Sequence, residues 1–189
     1  MRKLTSDITL YHTGYDEIRN PDVHYGRTNA DFGQGFYTTS DPEFSLRWAR
    51  AKKGSDTIVN QYVLHPSGLS VVYFERNEQW TDYIFRNRNR LPDLFPEADV
   101  IAGPIANDTI FDTMGMITSG LLRPEDSLKL LQAGPEYPQI VLKTEKAASQ
   151  LHWIGSRVLS SAELERIRVL AAAEEEQYLS EFAGIMEQL

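Results

Sequence analysis

The chain has no cysteine among its 189 residues. Without thiols it cannot form a disulfide framework, a thiolate metal site or a cysteine nucleophile. This composition fits a reducing compartment, so we expect a cytoplasmic protein. The first residues lack the apolar segment of a signal peptide, and no apolar run is long enough to span a bilayer. We therefore expect no membrane association.

The chain also has fewer basic than acidic residues, with 19 Lys and Arg compared with 27 Asp and Glu. The formal net charge of -8 argues against broad binding to nucleic acids or anionic membranes. The run from Arg86 to Arg90 is basic, and we interpret it as a solvated helix face rather than a nucleic-acid contact. His24, His65 and His152 have no ligand spacing, so the sequence predicts no bound metal.

Glycines, aromatic residues and a histidine are concentrated between Leu10 and Trp48. A short apolar strand ends there in His12-Thr13-Gly14, and Gly33-Gln34-Gly35-Phe36-Tyr37 opens a second strand. Glycine allows backbone to approach a ligand closely, aromatic faces stack on planar rings, and a histidine nitrogen can bond a sugar hydroxyl. This combination predicts a ligand site, most simply for a nucleotide.

Strand and helix signals alternate along the chain without a regular βαβ repeat, which is typical of an α+β fold. Runs rich in β-branched and aromatic residues predict strands at residues 8–13, 35–40, 58–64, 69–74, 99–103, 138–144 and 151–159. Capping residues and apolar periodicity predict helices at residues 41–54, 78–88, 107–118, 124–134 and from Ser160 onward, the second with Trp80, Tyr83 and Ile84 on one face.

Three separated motifs resemble those of one superfamily. Tyr11-His12-Thr13-Gly14 is similar to its aromatic-His-x-Gly motif, and the run from Gly33 to Tyr37 is similar to its Gly-x-Gly-aromatic-Tyr motif. Gln139 opens a strand where the third motif has an acidic residue. The superfamily is that of the ADP-ribosyltransferases, on the branch that includes diphtheria toxin and the poly-ADP-ribose polymerases. Residues 27–49, 103–113 and 139–147 resemble more closely an uncharacterised bacterial family within it.

The resemblance implies an ADP-ribosyltransferase-like α+β domain over residues 1–159. Its core would be a split pair of packed, antiparallel-type β-sheets with flanking helices and a cleft between the sheets. The implied function is that of an NAD-dependent mono-ADP-ribosyltransferase, with NAD as substrate, no metal, and an unidentified protein or nucleic acid as acceptor. Two alternatives stay open: an NAD glycohydrolase, in which water is the acceptor, and a catalytically weak NAD-binding or interaction module.

Carried over position by position, the resemblance implies roles for single residues. His12 would bond a ribose hydroxyl of NAD, and the backbone of Gly14 would pair with the nicotinamide carboxamide. Tyr37 would stack against the nicotinamide. Trp48 would offer a second stacking face, although it fits the protein core equally well, and the Ser45 hydroxyl would bond the carboxamide. The rest of the predicted NAD-binding set consists of Tyr11, Thr13, Gly35 and Phe36.

Gln139 falls at the catalytic position and departs from the pattern of the superfamily. A glutamate there would accept the ribose 2′-hydroxyl and stabilise the oxocarbenium that forms as nicotinamide leaves. Glutamine can accept the hydrogen bond but carries no charge, and charge stabilisation is commonly the largest catalytic contribution. Either the protein binds NAD with little turnover, or a nearby carboxylate substitutes. The candidate carboxylates are Asp31, Asp108, Glu136 and Glu145.

Two further polar pairs are candidates for contacts with the phosphates or the acceptor. Arg27 and Asp31 flank the glycine motif, although Asp31 also fits a simple turn before Gly33. Asn107 and Asp108 fit a helix N-cap best, with a substrate role as the alternative.

The last 30 residues, 160–189, lie outside the resemblance and predict one long helix. It either packs on the preceding domain or contacts another copy or a small partner protein, because an apolar face must be covered. Three consecutive glutamates, 174–176, interrupt its apolar stripe. The stripe consists of Leu164, Ile167, Ala171, Tyr178, Phe182, Ile185 and Leu189.

Overall fold

The computed structural model describes residues 6–106, 120, 126, 129–130 and 132–188. The strands are β1 (Ile8–Gly14), β2 (Phe36–Thr38), β3 (Ile58–Leu64), β4 (Val71–Tyr73), β5 (Val100–Pro104), β6 (Pro138–Leu142) and β7 (Leu151–Val158). The helices are α1 (Pro42–Ser45), followed directly by a 3₁₀ helix (Leu46–Trp48), then α2 (Glu78–Arg88), α3 (Glu145–Ser149) and α4 (Ser161–Met186). The helix predicted at residues 107–118 and most of the one predicted at 124–134 lie outside the described residues.

The strands form two sheets, which confirms the α+β class. The first sheet has the order β1-β3-β7 and is antiparallel throughout. The second has the order β2-β6-β5-β4, and its β4 and β5 are parallel. The expectation of purely antiparallel-type sheets is wrong at this pair. The reason is local: α2 lies between β4 and β5 in the chain, and a helical crossover returns the second strand in the same direction as the first.

The main hydrophobic core lies between the two sheets. Side chains alternate between the two faces of a sheet, so every second residue of a strand faces this core. From the first sheet these are Leu10, Tyr62, Leu64 and Leu151, and from the second Phe36, Val71, Val100, Ala102, Ile140 and Leu142.

Helix α2 covers the opposite face of the second sheet. Trp80, Tyr83 and Ile84 are completely buried, which confirms the shared face that the sequence predicted. They pack against Ile101 and Val141, so β5 is buried on both of its faces. Each such aromatic or aliphatic side chain contributes about 2 kcal/mol by burial.

The helix predicted at residues 41–54 is wrong in its second half. Asp41 caps its start as expected, because its carboxylate accepts from the backbone N–H groups of the next turn. The helical backbone ends at Trp48, since Ala49 adopts an extended conformation with ψ 130°. Ala49 thereby reaches a small core with Leu159 and Ile167, which a continued helix would leave. Helix α3, capped by the Thr144 side chain, was not predicted.

Helix α4 begins at Ser161, where the sequence predicted its start, and Ser160 and Glu163 form a capping box there. Among the described residues it packs on its own domain, with Ile167, Tyr178 and Phe182 buried. Leu189 lies outside the described residues. A contact of the exposed face of α4 with another chain stays a prediction. No helix in the described ranges is both long and apolar enough to cross a membrane.

The glutamate that interrupts the apolar stripe of α4 has a partner within the domain. Glu174 forms an ion pair with Arg47 of the 3₁₀ helix. The Tyr137 hydroxyl donates to the same carboxylate at 2.9 Å. The break in the stripe is therefore a polar contact that joins the middle of α4 to the 3₁₀ helix and to the segment just before β6.

Candidate functional site

The two sheets meet where β1 passes the end of β2. Tyr11 and Thr39 exchange two backbone hydrogen bonds, of 2.8 and 3.0 Å, across this junction. The Thr39 hydroxyl donates to the carbonyl of Pro138, at the start of β6, at 2.7 Å. Three segments that are distant in sequence therefore converge here, and each carries one of the motifs described above.

A cleft of about 440 Å³ opens at this junction. His12, Tyr37 and Gln139 line it together, although they belong to three different strands. Four other predicted residues, Thr13, Arg27, Asp31 and Trp48, are also in its wall, and the remaining lining residues are Ala30, Arg88, Ile105 and Ala106.

His12 is held in one orientation by the backbone of β2. Its Nδ1 lies 2.8 Å from the carbonyl oxygen of Tyr37. Burial lowers the pKa of His12 below 6.5 and outweighs the opposing effect of this hydrogen bond, so the ring is neutral at neutral pH. A carbonyl can only accept, so Nδ1 carries the proton and Nε2 keeps its lone pair. A Cβ on Gly14 would lie 3.2 Å from Nε2, so a glycine at that position leaves this nitrogen accessible.

The Tyr37 hydroxyl is engaged by the glycine loop that precedes β2. It donates to the carbonyl of Gly33 at 2.7 Å and accepts from the N–H of Phe32 at 3.0 Å. Burial, and secondly the charge of Asp31, raises the pKa of Tyr37 far above its ordinary value, so the hydroxyl stays protonated. The aromatic ring is therefore the part of Tyr37 that can contact a ligand.

Two buried polar atoms in the cleft wall have no hydrogen-bond partner within the described part of the chain. They are Nε2 of Gln139 and the hydroxyl oxygen of Thr13. Both residues are only 6 % exposed. Leaving such a group without a partner costs about 1–3 kcal/mol. Orphaned polar atoms are rare in native interiors, and these two are in the wall of one cleft, where a ligand would supply the missing bonds.

The charged groups of the cleft favour an anionic ligand. The Asp31 carboxylate accepts from Nε and Nη2 of Arg88 through one oxygen, at 3.0 and 2.7 Å. Arg27 is exposed at the cleft and forms no ion pair with any residue that the structure describes. Two arginines thus stand against one carboxylate in the described lining, which suits a phosphate-bearing ligand.

Three predicted NAD-binding residues lie behind the cleft wall and do not line the cleft. Phe36 is buried in the main core, and its ring packs 4.7 Å from the imidazole of His12. A Cβ on Gly35 would lie 2.6 Å from the carbonyl oxygen of Leu142, so this glycine allows two strands to pack closely. Tyr11 packs in the small core under α4. None of these three lines the cleft.

Ser45 is also absent from the cleft lining. It is completely buried, and its hydroxyl donates to the carbonyl of Pro42 at 2.7 Å within α1.

Among the residues that the structure describes, Asp31 provides the carboxylate of the cleft wall. Glu136 is exposed in the segment before β6, and Glu145 is exposed in the first turn of α3, so neither lines the cleft. Asn107 and Asp108 lie outside the described residues. In the same described ranges, no group of three or more His, Asp or Glu side chains could hold a metal ion.

Arg88 is a cleft residue that the sequence did not single out. It belongs to the basic run 86–90, for which the sequence favours a solvated helix face. The position of Arg88 contradicts that interpretation, because its guanidinium reaches the cleft and is 24 % exposed. Arg88 follows Ile84 by one helical turn and so lies beside the buried face of α2, which is a signal that spacing alone provides.

Comparison with protein families gives one match. The model of a family described as "Protein of unknown function (DUF3990)" matches residues 8–153, which is well over half of the chain. The chain therefore belongs to that family. Comparison with curated proteins and with solved structures finds no match.

Proposed function

We propose that this member of the DUF3990 family is an NAD-dependent mono-ADP-ribosyltransferase with an unidentified protein or nucleic acid as acceptor. One observation carries the proposal: three motifs that resemble those of the ADP-ribosyltransferases contribute His12, Tyr37 and Gln139 to one cleft at the junction of the two sheets. The volume of about 440 Å³ is in the range typical of small-molecule sites. The orphaned polar atoms of Thr13 and Gln139 further support a ligand at this position.

The proposal gives each cleft residue a contact with NAD. Nε2 of His12 accepts from a ribose hydroxyl, since Nδ1 is occupied by the carbonyl of Tyr37. The rings of Tyr37 and Trp48 are stacking faces for the nicotinamide. Arg27, which lacks a carboxylate partner in the described residues, binds the pyrophosphate. These contacts use groups whose hydrogen-bonding or charge capacity is not consumed by the residues that the structure describes.

The reaction breaks the bond between the ribose carbon C1 and the nicotinamide nitrogen. The electron pair leaves with nicotinamide, and the ribose carries positive charge until a nucleophile of the acceptor attacks C1 and loses its proton. The Gln139 amide can hydrogen-bond a ribose hydroxyl, but it supplies none of the negative charge that a glutamate would place there. The rate therefore depends on whether another group provides that charge.

One observation favours a second candidate, a catalytically weak NAD-binding module. The described carboxylate of the cleft, Asp31, is neutralised by Arg88, and Gln139 is uncharged. In this candidate NAD binds at the same contacts and is not cleaved. An NAD glycohydrolase is a third outcome, in which water replaces the macromolecular acceptor.

Nicotinamide release, measured with purified protein and with added cell lysate, tests the proposal. We expect release by the wild-type protein, and label from adenine-labelled NAD retained on a lysate macromolecule. Release without retained label would identify a glycohydrolase. Binding of NAD with no release under either condition would contradict the transferase and leave the binding module.

The variant Gln139→Glu tests whether this position is at the reacting centre. A higher rate than wild type would mean that the centre lacks a charge, and a lower rate that another carboxylate already supplies it, because two like charges in one cleft disfavour each other. Gln61→Glu is the matched control, since Gln61 is exposed on β3. The same rate for Gln139→Glu, Gln61→Glu and wild type would remove Gln139 from the centre.

A further inference from the structure

The ion pair between Asp31 and Arg88 is unequally shared by the two carboxylate oxygens. Oδ1 accepts both guanidinium contacts, at 3.0 and 2.7 Å. Oδ2 has a long contact of 3.4 Å with the N–H of Ala106. The side chains of Asp31 and Arg88 are 19 % and 24 % exposed, so both reach the cleft. The pair therefore lies where a bound dinucleotide would meet it.

We propose that Asp31 and Arg88 form an exchangeable ion pair: the pyrophosphate of NAD binds Arg88 and releases Asp31, whose carboxylate then stabilises the positive charge on the ribose. This inference rests on the proposed function and deepens it. It assigns to Asp31 the charge that Gln139 cannot provide, and to Arg88 a phosphate contact that also controls when that charge is available.

The backbone around Asp31 is fixed independently of Arg88. The Asn87 amide donates to the Asp31 carbonyl at 3.1 Å, and the N–H of Gly33 donates to the carbonyl of Ala30 at 2.9 Å. The Tyr37 hydroxyl holds the next two residues through its bonds to Phe32 and Gly33. Asp31 would thus keep its position in the cleft wall after the guanidinium moves away.

The charges of the cleft favour such an exchange. A pyrophosphate carries two negative charges, and Arg27 is the cleft arginine that forms no ion pair with a described residue. A second cation is needed, and the guanidinium of Arg88 can bond a phosphate in the same forked geometry as a carboxylate. Arg88 is the last residue of helix α2 and is not part of its buried face, so a different rotamer of Arg88 leaves that face packed.

The chemical step balances without an oxidant or a reductant. The bond from ribose C1 to nicotinamide breaks, and its electron pair stays on the nicotinamide nitrogen. The released Asp31 carboxylate faces the positive ribose, the acceptor heteroatom bonds to C1, and the acceptor proton passes through the carboxylate to solvent. The products are ADP-ribosyl acceptor, nicotinamide and one proton.

Two substrates and four variants test the exchange. Nicotinamide riboside has the scissile bond but no pyrophosphate, so in the wild-type protein it leaves Asp31 paired with Arg88. We expect Arg88→Gln to weaken NAD binding about tenfold, through a lost charge-assisted contact, and to raise the rate of riboside cleavage above wild type, because Asp31 is then released without phosphate. Asp31→Asn should lower kcat for NAD about 100-fold, as loss of transition-state charge stabilisation does. Its Kd for NAD should be no higher than that of wild type, because NAD then displaces no carboxylate from Arg88. Arg90→Gln, exposed just after α2, and Asp82→Asn, exposed on α2, are the matched controls.

A purely structural pair predicts a different pattern. It would make Arg88→Gln slower on riboside and NAD in equal measure, and this result would overturn the exchange. An unchanged kcat in folded Asp31→Asn would also overturn it. If Asp31→Asn fails to fold in a thermal melt, the riboside rate of Arg88→Gln decides. Absence of nicotinamide release by the wild-type protein from both substrates would contradict the proposed function itself, together with this inference. The exchange further predicts that Gln139→Glu is slower than wild type.

Discussion

Strands β5 and β6 have a buried polar cluster at each end, and the two clusters differ in how their polar atoms are bonded. At the end where Val100 pairs with Leu142, the Asp99 carboxylate accepts from the Ser70 N–H at 2.8 Å, the Thr144 hydroxyl at 2.8 Å and the Lys146 ammonium at 2.7 Å. At the other end Gly103 pairs with Gln139, and the Gln139 and Thr13 polar atoms have no partner in the described part of the chain.

The difference separates a cluster that stabilises the fold from one that is suited to a ligand. Burial alone would raise the pKa of Asp99, but the hydrogen bonds from Lys146, Ser70 and Thr144 outweigh it and hold the pKa below its ordinary value. The folded domain therefore provides donors to both oxygens of that carboxylate. At the cleft, two buried polar atoms have no partner among the described residues, at a cost of about 1–3 kcal/mol each that a bound ligand would recover.

Removal of Asp99 should have the largest effect on stability. Asp99→Ala leaves the half-buried Ser70 N–H and Thr144 hydroxyl without their acceptor, and we expect a loss of about 3 kcal/mol in urea unfolding at pH 7. Affinity for NAD should change less than twofold, because the cleft is at the other end of the strands. Asp82→Ala, an exposed carboxylate on α2, is the control. Weaker NAD binding with unchanged stability in Asp99→Ala would contradict the assignment of a stabilising role to this end of the strands.

The pH dependence of the free energy of unfolding provides a second test of the role of Asp99. The folded pKa of Asp99 is below its ordinary value of 3.8, so its stabilisation is complete above that pH and is lost as the pH falls through the lowered value. The difference in unfolding free energy between wild type and Asp99→Ala should therefore shrink when urea titrations are repeated at about pH 3. An equal difference at both pH values would contradict the account of Asp99.

A matched pair of threonine substitutions compares the two ends directly. Thr144→Val removes a hydroxyl that donates to Asp99 and accepts from the N–H of Ala147 at 3.2 Å. We expect it to cost about 1.5 kcal/mol. Thr13→Val removes a buried hydroxyl without a described partner, so the stability should stay the same or rise by up to about 1 kcal/mol. Thermal or urea unfolding of both variants measures these changes in stability. Equal losses of stability in the two variants would contradict the difference between the two ends of the strands.

The smallest expected effect is the pH dependence of NAD binding through His12. Its pKa is lowered below 6.5 by burial, so the acceptor nitrogen stays unprotonated to a lower pH than in a free histidine. The affinity for a carbocyclic NAD analogue, which cannot be cleaved, should be constant from about pH 8 to 6.5 and fall about fivefold at lower pH, as one neutral hydrogen bond is lost. His12→Gln should remove this pH dependence. A decline that begins above pH 6.5 in wild type would contradict the neutral, buried ring.

Local sequence signals predicted the elements whose formation depends on neighbouring residues. The buried face of α2 follows from the spacing of Trp80, Tyr83 and Ile84, and the start of α4 follows from the capping box of Ser160 and Glu163. The convergence of His12 and Gln139 on one cleft was predicted from the resemblance alone, because spacing cannot bring three distant strands together.

Features that depend on distant packing could not be predicted. The helix after Asp41 ends at Trp48 because Ala49 packs against Leu159 and Ile167, from the other end of the chain. The orphaned amide of Gln139 is visible only once its neighbours are in place, since the sequence does not tell which buried polar atoms lack partners.

Calorimetric titration with the carbocyclic NAD analogue tests whether the cleft binds NAD, because binding is measured apart from catalysis. We predict one saturable site per chain in wild type and an affinity about fivefold or more weaker in His12→Ala, through the lost ribose hydrogen bond. The affinity should be unchanged in His24→Ala, whose side chain is exposed on the loop before the cleft. Absence of binding to the wild-type protein, or equal affinity in all three proteins, would contradict the claim that this cleft is an NAD site.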